Sequence, residues 1–371
     1  MIQRLLTDVL KASSLQKVYV ILGPRQVGKT TMLEQLKQPN DSILMLDCDN
    51  YDDRLLLENK TKTELNNLIE GYDVVMIDEA QKVTNIGLSL KMLGDLKSSA
   101  KIYVTGSSSL QLTDEINEPA TGRLLEYKMY PMSLTEMAQH TSKKEEQRLL
   151  QVRMIYGLYP EVVTNPKDAR QLLLTIANNY LYKDILEYKG IKKPELLRKL
   201  LVALALQLGS EVSYNELSNM LGVDKETVEN YIDLLEKCFV VFRLNSYSGN
   251  LRNEIKKGKK VYFYDNGIRN AIISNFAPLE SRNDTGALWE NLMVSERMKH
   301  NEYTGSYAQM FFWRTQKQKE IDLVEWKDGM LDTFEFKWKE GKTSIMPKDF
   351  ASAYPNSTFK TITPSNFWEF V

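Results

Sequence analysis

In the first third of the chain, short runs of consecutive apolar residues alternate with segments whose apolar residues recur at helical spacing. Such short runs indicate buried strands of a parallel sheet. They predict strands over residues 18–22 and 42–47, a strand of four apolar residues from Val74, and a strand in the segment KIYVTG. A helix is predicted from about Lys29 to Lys37. This alternation of strands and helices is typical of an α/β domain.

The middle of the chain has a different pattern. From about Pro131 to Gly209 the apolar spacing is helical, and the simplest interpretation is a helical lid. The next segment, SYNELSNMLGVDKETVENYIDLLEKCFVVFRL, predicts a short helix, a turn at Gly222, a longer helix capped by Asp224, and a strand. A basic loop and the strand VYFYD follow. This order is that of a winged helix-turn-helix.

After Asn283 the pattern predicts the order helix, three strands, helix, strand. Asp328 and Gly329 favour a two-residue turn with both residues at positive φ. Counting outward from that turn places Asp322 directly opposite Glu335 and puts both on the same face as Lys337. The opposite face is apolar and comprises Ile321, Leu323, Phe334, Phe336 and Trp338.

Composition and charge exclude several classes of protein. At 371 residues, 43% hydrophobic and 26% charged, the chain suits two or three globular domains. The formal net charge of −1 provides no global attraction for nucleic acid. Two cysteines cannot form a disulfide framework, and no segment has the pattern of a secretion signal or a membrane span. We therefore expect a cytoplasmic protein.

The segment GPRQVGKT, from Gly23 to Thr30, is a full Walker A motif between a predicted strand and a predicted helix. Its backbone N–H groups and the helix N-terminus would hold phosphates, Lys29 would reach the β- and γ-phosphates, and Thr30 would bind Mg²⁺. The candidate nucleotide-binding residues are Gly23, Pro24, Arg25, Gln26, Val27, Gly28, Lys29, Thr30 and Thr31.

Asp78 and Glu79 end the strand that begins at Val74, as in a Walker B motif. Asp78 would hold Mg²⁺ through water, and Glu79 would orient or deprotonate the attacking water. At the end of the next strand, a hydroxyl would lie between the two Walker strands and sense the γ-phosphate; Ser107 is favoured over Thr105. Arg123 has two interpretations: a pair with a surface carboxylate, or an arginine finger that contacts ATP bound to a neighbouring subunit.

The C-terminal face of Asp322, Glu335 and Lys337 predicts metal chemistry. Two directly opposed carboxylates destabilise a sheet unless a cation offsets them, and hard oxygen ligands suit Mg²⁺ or Mn²⁺. Lys337 would orient the attacking water or the scissile phosphate, and Glu290, on the preceding helix, would complete the set by ligating the metal or relaying through water. This arrangement indicates phosphodiester cleavage.

The presumed recognition helix is acidic, with Glu226, Glu229, Asp233 and Glu236, and phosphates would repel it. A connector or protein-docking role therefore competes with DNA binding. If DNA binds here, we expect contact at the basic wing, which is either a DNA contact or a solvated hairpin tip. Its basic residues are Arg252, Lys256, Lys257, Lys259 and Lys260.

Together, GPRQVGKTT, VVMIDEAQ, VTGSSSL, TGR with YPMSLTE, GLYPEVV, YFYDNGIRN, GALWENLMVSE, KEIDLVEW and FEFKW resemble one family over nearly the full chain. These are prokaryotic AAA-type ATPases whose C-terminal domain is similar to restriction endonucleases of the PD-(D/E)XK class. The resemblance assigns nucleotide roles to Lys29, Thr30, Asp78 and Glu79, and nuclease positions to Glu290, Asp322, Glu335 and Lys337. Ile321 stands where that class usually has Pro.

The resulting prediction is a multidomain α/β protein in four parts. An AAA-type P-loop domain covers residues 1–135, a helical lid 136–208, a winged helix-turn-helix 209–278 and a nuclease-like α/β domain 279–371. The predicted function is ATP hydrolysis coupled to DNA handling, with a metal-dependent nuclease-like C-terminal domain. The alternative is an ATP-dependent switch that engages a protein partner, with the C-terminal domain an inactive scaffold. ATP, Mg²⁺ or Mn²⁺, DNA, and a second copy or protein partner are the predicted ligands and partners.

Overall fold

The computed structural model describes residues 1–96, 98–107, 122–181, 194–248, 258–315, 317–339, 341 and 344–371. The chain forms two compact units. The first contains residues 1–132 and 237–239, and the second contains residues 133–236 and 240–371.

The first unit has a five-stranded parallel sheet in the order β2-β3-β4-β1-β5. The three central strands are almost entirely buried, as consecutive apolar runs require in a parallel sheet. The five strands are β1 (Val18–Leu22), β2 (Ile43–Asp47), β3 (Val74–Asp78), β4 (Lys101–Gly106) and β5 (Leu124–Lys128). The helices are α1 (Leu5–Ala12), α2 (Lys29–Leu36), α3 (Tyr51–Leu55), α4 (Lys62–Ile69) and α5 (Ile86–Gly94), with a 3-10 turn at Ala80–Lys82.

This sheet confirms the predicted α/β class and the predicted strands of the first third. Strand β4 lies between β1 and β3, so the segment after β4 lies between the two Walker segments, as the sequence predicted. Because the strands are parallel, the segments after β1, β3 and β4 all leave the same carboxyl edge.

The second unit begins with helices and continues into a seven-stranded mixed sheet in the order β12-β11-β10-β9-β7-β8-β6. Its helices are α6 (Leu134–His140), α7 (Lys143–Arg148), α8 (Leu150–Tyr156), α9 (Pro160–Thr164), α10 (Ala169–Thr175), α11 (Pro194–Leu206), α12 (Tyr214–Leu221), α13 (Lys225–Lys237), α14 (Asn266–Ile272), α15 (Thr285–Thr304) and α16 (Lys348–Ala353), with a π-helical turn at Ile176–Leu181 and 3-10 turns at Leu279–Ser281 and Phe367–Glu369. Its strands are β6 (Glu211–Val212), β7 (Val241–Ser246), β8 (Lys259–Phe263), β9 (Gln309–Arg314), β10 (Glu320–Lys327), β11 (Met330–Phe336) and β12 (Thr358–Ile362).

The hairpin of β10 and β11 has the predicted register. Lys327 pairs with Met330 and Leu323 with Phe334, as counting outward from the turn predicted. The turn residues Asp328 and Gly329 have φ of 50° and 81°, the positive values expected for a two-residue turn. The predicted order of helix, three strands, helix, strand after residue 283 is also found.

Strands from two of the predicted domains share one sheet. Strand β7 pairs in parallel with β9, so the strands of the predicted winged helix and those of the predicted nuclease-like domain are hydrogen-bonded to each other. The four-part domain division itself stays a prediction. Within the described residues, no helix combines the length and the apolar character needed to cross a membrane.

Candidate functional site

The loop between β1 and α2 has the backbone geometry of a phosphate cradle. Gln26 and Gly28 have φ of 63° and 89°, which bends the chain so that consecutive N–H groups turn toward one side. Gly23 has no room for a side chain, since a Cβ there would lie 2.1 Å from the carbonyl oxygen of Met129. The remaining loop residues include Val27, which is fully buried, and Arg25, which is half-buried.

Lys29 and Thr30 begin helix α2 at this loop. The Lys29 ammonium is 4% exposed and donates to the carbonyl oxygens of Gly23 and Pro24, at 2.9 and 3.0 Å. The Thr30 hydroxyl donates to Asp78 Oδ2 at 2.5 Å. A hydroxyl and a carboxylate in contact at the end of a P-loop are the donor set that Mg²⁺-ATP requires, so these residues fit a magnesium ion. Thr31 follows on the exposed side of α2.

A second set of contacts joins the segments after β3 and β4. Thr105 donates to Asp78 Oδ1, and the Glu79 N–H contacts both Asp78 Oδ1 and Thr105 Oγ1, at 3.1 and 3.2 Å. Glu79 is a non-glycine residue with φ of 51°, a conformation that concentrates at functional sites. The Thr105 hydroxyl is therefore hydrogen-bonded to Asp78. Ser107, directly after the end of β4, carries the next hydroxyl along the chain.

Gln81 is a site residue that the sequence analysis missed. Its amide nitrogen donates to Glu79 Oε2 and to Ser107 Oγ, the latter at 2.8 Å. Its amide oxygen accepts from the Ser107 N–H at 3.2 Å. The available signal was its place as the last residue of the segment VVMIDEAQ, where no role was assigned to it.

The structure places Arg123 next to a surface carboxylate. Its carbonyl oxygen accepts from the N–H of Val18, the first residue of β1, so Arg123 lies at the amino edge of the sheet. The P-loop leaves the opposite, carboxyl edge, about 16 Å away along a five-residue strand. The Arg123 guanidinium pairs with Asp95 and lowers the pKa of that carboxyl. Its pair with Asp95 is the first of the two interpretations, and a role as an arginine finger toward a neighbouring subunit stays a prediction.

In the second unit three carboxylates converge, and two of them, Glu290 and Asp322, are predicted metal ligands. Glu290 on α15 and Glu320 and Asp322 on β10 each place an oxygen within 4.8 Å of the others. Glu320 was missed, although strand alternation puts it on the face of Asp322. Among the described residues Glu335 lies outside this group, and its role as a metal ligand stays a prediction. Its Oε1 accepts from Lys337 Nζ at 2.7 Å.

We call Glu290, Glu320 and Asp322 the acid cluster. A lysine from strand β8 pairs with two of these carboxylates. The Lys260 ammonium, 1% exposed, donates to Glu290 Oε1 at 2.9 Å and pairs with Glu320. Tyr262, two residues along the same strand face, donates to Glu290 Oε1 at 2.6 Å. The ammonium of Lys260 therefore offsets negative charge of the acid cluster.

Burial and charge shift the titration of this cluster. Burial, together with the carboxylates of Glu290 and Glu335, raises the pKa of Asp322 well above its ordinary range. Burial alone would lower the pKa of Lys260, but the carboxylates of Glu290, Asp322 and Glu320 raise it above its ordinary range. Burial and Glu290 likewise raise the pKa of Tyr262. The lysine is thus held in its charged form.

These contacts also correct the predicted basic wing. Lys260 is buried rather than exposed, and Lys259 lies 3.5 Å from Glu229 of the acidic helix α13. On the same helix, Asp233 and Glu236 pair with Arg243. Part of the acidic charge of α13 is therefore neutralised within the unit. The other wing residues, Arg252, Lys256 and Lys257, lie outside the described residues.

Comparison with known families gives three matches along the chain. Residues 15–138 match the family model of an AAA domain. Residues 147–279 match a domain of unknown function (DUF8612), and residues 285–365 match another domain of unknown function (DUF4143). Neither of the latter descriptions names a nuclease or a winged helix.

Several uncharacterized proteins are similar over most of the chain. One from Haemophilus influenzae is 25% identical over 283 residues, which cover 69% of this chain and 69% of that protein. One from Methanocaldococcus jannaschii is 26% identical over 337 residues, covering 83% and 72%. One from Mycobacterium tuberculosis is 25% identical over 326 residues, covering 86% and 70%. With the geometry of the first unit, the AAA match supports an AAA-type ATPase domain at residues 15–138.

Proposed function

We propose that this protein binds ATP at the loop between β1 and α2 and hydrolyses it with Glu79. The observation that carries the proposal is that Lys29, the contact of Thr30 with Asp78, and the carboxylate of Glu79 all lie at the carboxyl ends of β1 and β3, two strands of one parallel sheet. The match of residues 15–138 to an AAA domain supports the same activity.

Each residue has a defined task in this proposal. The loop N–H groups bind the phosphate oxygens, and the Lys29 ammonium exchanges the carbonyl oxygens of Gly23 and Pro24 for phosphate oxygens. Thr30, and Asp78 through water, would hold Mg²⁺, which when bound neutralises charge on the β- and γ-phosphates. Glu79 orients the attacking water and accepts its proton.

The test is ATP turnover by purified full-length protein with Mg²⁺. Lys29→Ala should abolish turnover and weaken ATP binding, because the phosphates lose their buried cation. Lys37→Ala, directly after the same helix, is the matched control, since among the described residues its ammonium pairs only with Glu34 on the surface. Equal turnover in Lys29→Ala and Lys37→Ala would contradict the proposal.

A second candidate function is metal-dependent cleavage of DNA at the acid cluster, with ATP turnover coupled to DNA handling. The observation that favours it is the convergence of three hard oxygen donors within 4.8 Å, a set that suits Mg²⁺ or Mn²⁺. Lys337, 34% exposed, would then contact the scissile phosphate. DNA would bind the second unit at the acid cluster and at the basic wing.

The competing candidate is an ATP-dependent switch that engages a protein partner, with the second unit an inactive scaffold. It is favoured by Lys260, whose buried ammonium already offsets the acid cluster. The two candidates differ in what the protein does with Mn²⁺.

Melting temperature and DNA cleavage of the full-length protein with Mn²⁺ distinguish the nuclease from the scaffold. A nuclease should melt at a higher temperature with Mn²⁺ and cleave DNA, and Asp322→Asn should abolish both effects. A scaffold should show neither effect. The control is Asp332→Asn, an exposed carboxyl on the neighbouring strand β11. Unchanged melting and intact DNA at millimolar Mn²⁺ would rule out the nuclease.

A further inference from the structure

The side-chain amide of Gln81 connects the two parts of the ATPase site that must act together. Gln81 lies in the 3-10 turn Ala80–Lys82, directly after the Walker B acids. It touches the carboxylate of Glu79 on one side and both the hydroxyl and the backbone N–H of Ser107 on the other. Ser107 is 4% exposed, so its contacts are shielded from bulk water.

The orientation of this amide is fixed by its neighbours. The backbone N–H of Ser107 can only donate, so the group facing it must be the amide oxygen. The amide nitrogen therefore faces Glu79 Oε2 and Ser107 Oγ and uses both of its hydrogens. In the opposite orientation, the oxygen would face the Glu79 carboxylate, where two acceptors repel.

This arrangement has consequences for both partners. Because Ser107 Oγ accepts from Gln81, its own hydrogen is directed elsewhere, and within the described part of the chain it has no acceptor. A phosphate oxygen would supply one. Glu79 binds Gln81 through Oε2, and within the same part of the chain Oε1 accepts no hydrogen bond. That oxygen is the one left for water.

We propose that Gln81 is a positioning residue for ATP hydrolysis, which links the γ-phosphate contact of Ser107 to the orientation of the Glu79 carboxylate. When the Ser107 hydroxyl donates to the γ-phosphate, the Gln81 amide stays bonded to Ser107 and holds Oε1 of Glu79 toward the attacking water. The proposal rests on the proposed ATPase function, and it adds the residue that aligns the base with the phosphate.

Steady-state ATPase kinetics of full-length Gln81→Ala provide the test. Because a hydrogen bond to a charged group is lost, kcat should fall between about 10- and 100-fold. KM should change less than about 3-fold, since Gln81 does not touch the phosphates. Lys82→Ala, the exposed next residue of the same turn, is the matched control and should keep the wild-type kcat.

Two further measurements distinguish positioning from a merely structural role. In a double-mutant cycle, Gln81→Ala should add little to Ser107→Ala, because both remove the same link. In a Glu79→Gln background, Gln81→Ala should leave the affinity for a fluorescent ATP analogue unchanged. Gln81→Met retains side-chain volume without the amide, so it should be as slow as Gln81→Ala even if Gln81→Ala melts earlier.

The outcomes are separable. Wild-type kcat in Gln81→Met, or fully additive effects of Gln81→Ala and Ser107→Ala, would overturn the role of Gln81 while ATP hydrolysis stands. A wild-type protein without ATP turnover that depends on Lys29 would instead overturn the proposed function, and this inference with it.

Discussion

The roles of some residues follow from local sequence spacing, whereas those of others depend on distant parts of the chain. The roles assigned to Lys29, Thr30 and Asp78 depend on local spacing, and the structure brings these three together. Lys260 was assigned to an exposed basic run, because neighbouring lysines usually mark a solvated tip. Strand alternation instead turns Lys260 inward, and its partners Glu290 and Glu320 lie far along the chain. No local pattern contains that information.

The carboxyl of Asp284 makes a contribution to the free energy of unfolding that depends on pH. Burial raises the pKa of Asp284, but hydrogen bonds from Arg282 and Arg269 outweigh it and lower the pKa to about 2. An acid with a lowered pKa in the folded state stabilises the fold above its unfolded pKa and loses that contribution as pH falls. The loss should occur between about pH 4 and pH 2, and the full contribution should be about 2 kcal/mol.

The measurement is the free energy of unfolding against pH for wild type and Asp284→Asn. The difference between them should shrink over that interval and be constant from about pH 5 to pH 7. Asp168→Asn, an exposed acid of the same unit, should run parallel to wild type. A constant difference for Asp284→Asn down to pH 2 would contradict the assignment.

At the scale of elements, the hairpin of β10 and β11 was predictable because its register depends only on a two-residue turn. Asp328 and Gly329 supplied the turn, and alternation then supplied the faces. The same counting could not show that Glu335 would pair with Lys337 while Glu320 joins Asp322. Which carboxylates come together depends on Lys260 of β8 and Glu290 of α15, which belong to other parts of the chain.

Gly329→Ala tests the turn. Its φ of 81° strains any residue with a Cβ, so the free energy of unfolding should fall by about 1 kcal/mol. Denaturant unfolding with Gly286→Ala as control measures this effect, because a Cβ on Gly286 meets no atom within 4 Å and its φ is not positive. Unchanged stability in Gly329→Ala would mean that the hairpin does not need this turn.

At the scale of the whole molecule, the seven-stranded sheet crosses the boundary predicted at residue 279. The Tyr247 N–H donates to the Phe312 carbonyl at 2.7 Å, and the Tyr247 ring packs on Phe311 and Tyr354. Element order along the sequence was correct here, but which strands become neighbours depends on pairing between distant segments. The sequence pattern therefore predicted the helices and strands of this unit better than it predicted which strands pair in one sheet.

A fragment of residues 279–371 should consequently not fold alone. Removing β7 leaves β9 as an open edge strand and exposes apolar surface around Phe312, which is fully buried in the intact unit. We expect aggregation in size-exclusion chromatography and rapid proteolysis. A fragment of residues 209–371, which keeps β6 to β8, is the control and should be more resistant. Equal, high resistance of both fragments would show that the predicted boundary is a folding boundary.

The buried lysine of the acid cluster also constrains how this family of sequences can change over generations. A substitution that removes Glu290 leaves the buried Lys260 with fewer carboxylates to offset its charge, and losing Lys260 leaves the carboxylates of the acid cluster without its ammonium. We expect either single substitution to destabilise the fold more than a paired exchange does. Positions 260, 290 and 320 should therefore covary among descendants of a common ancestor.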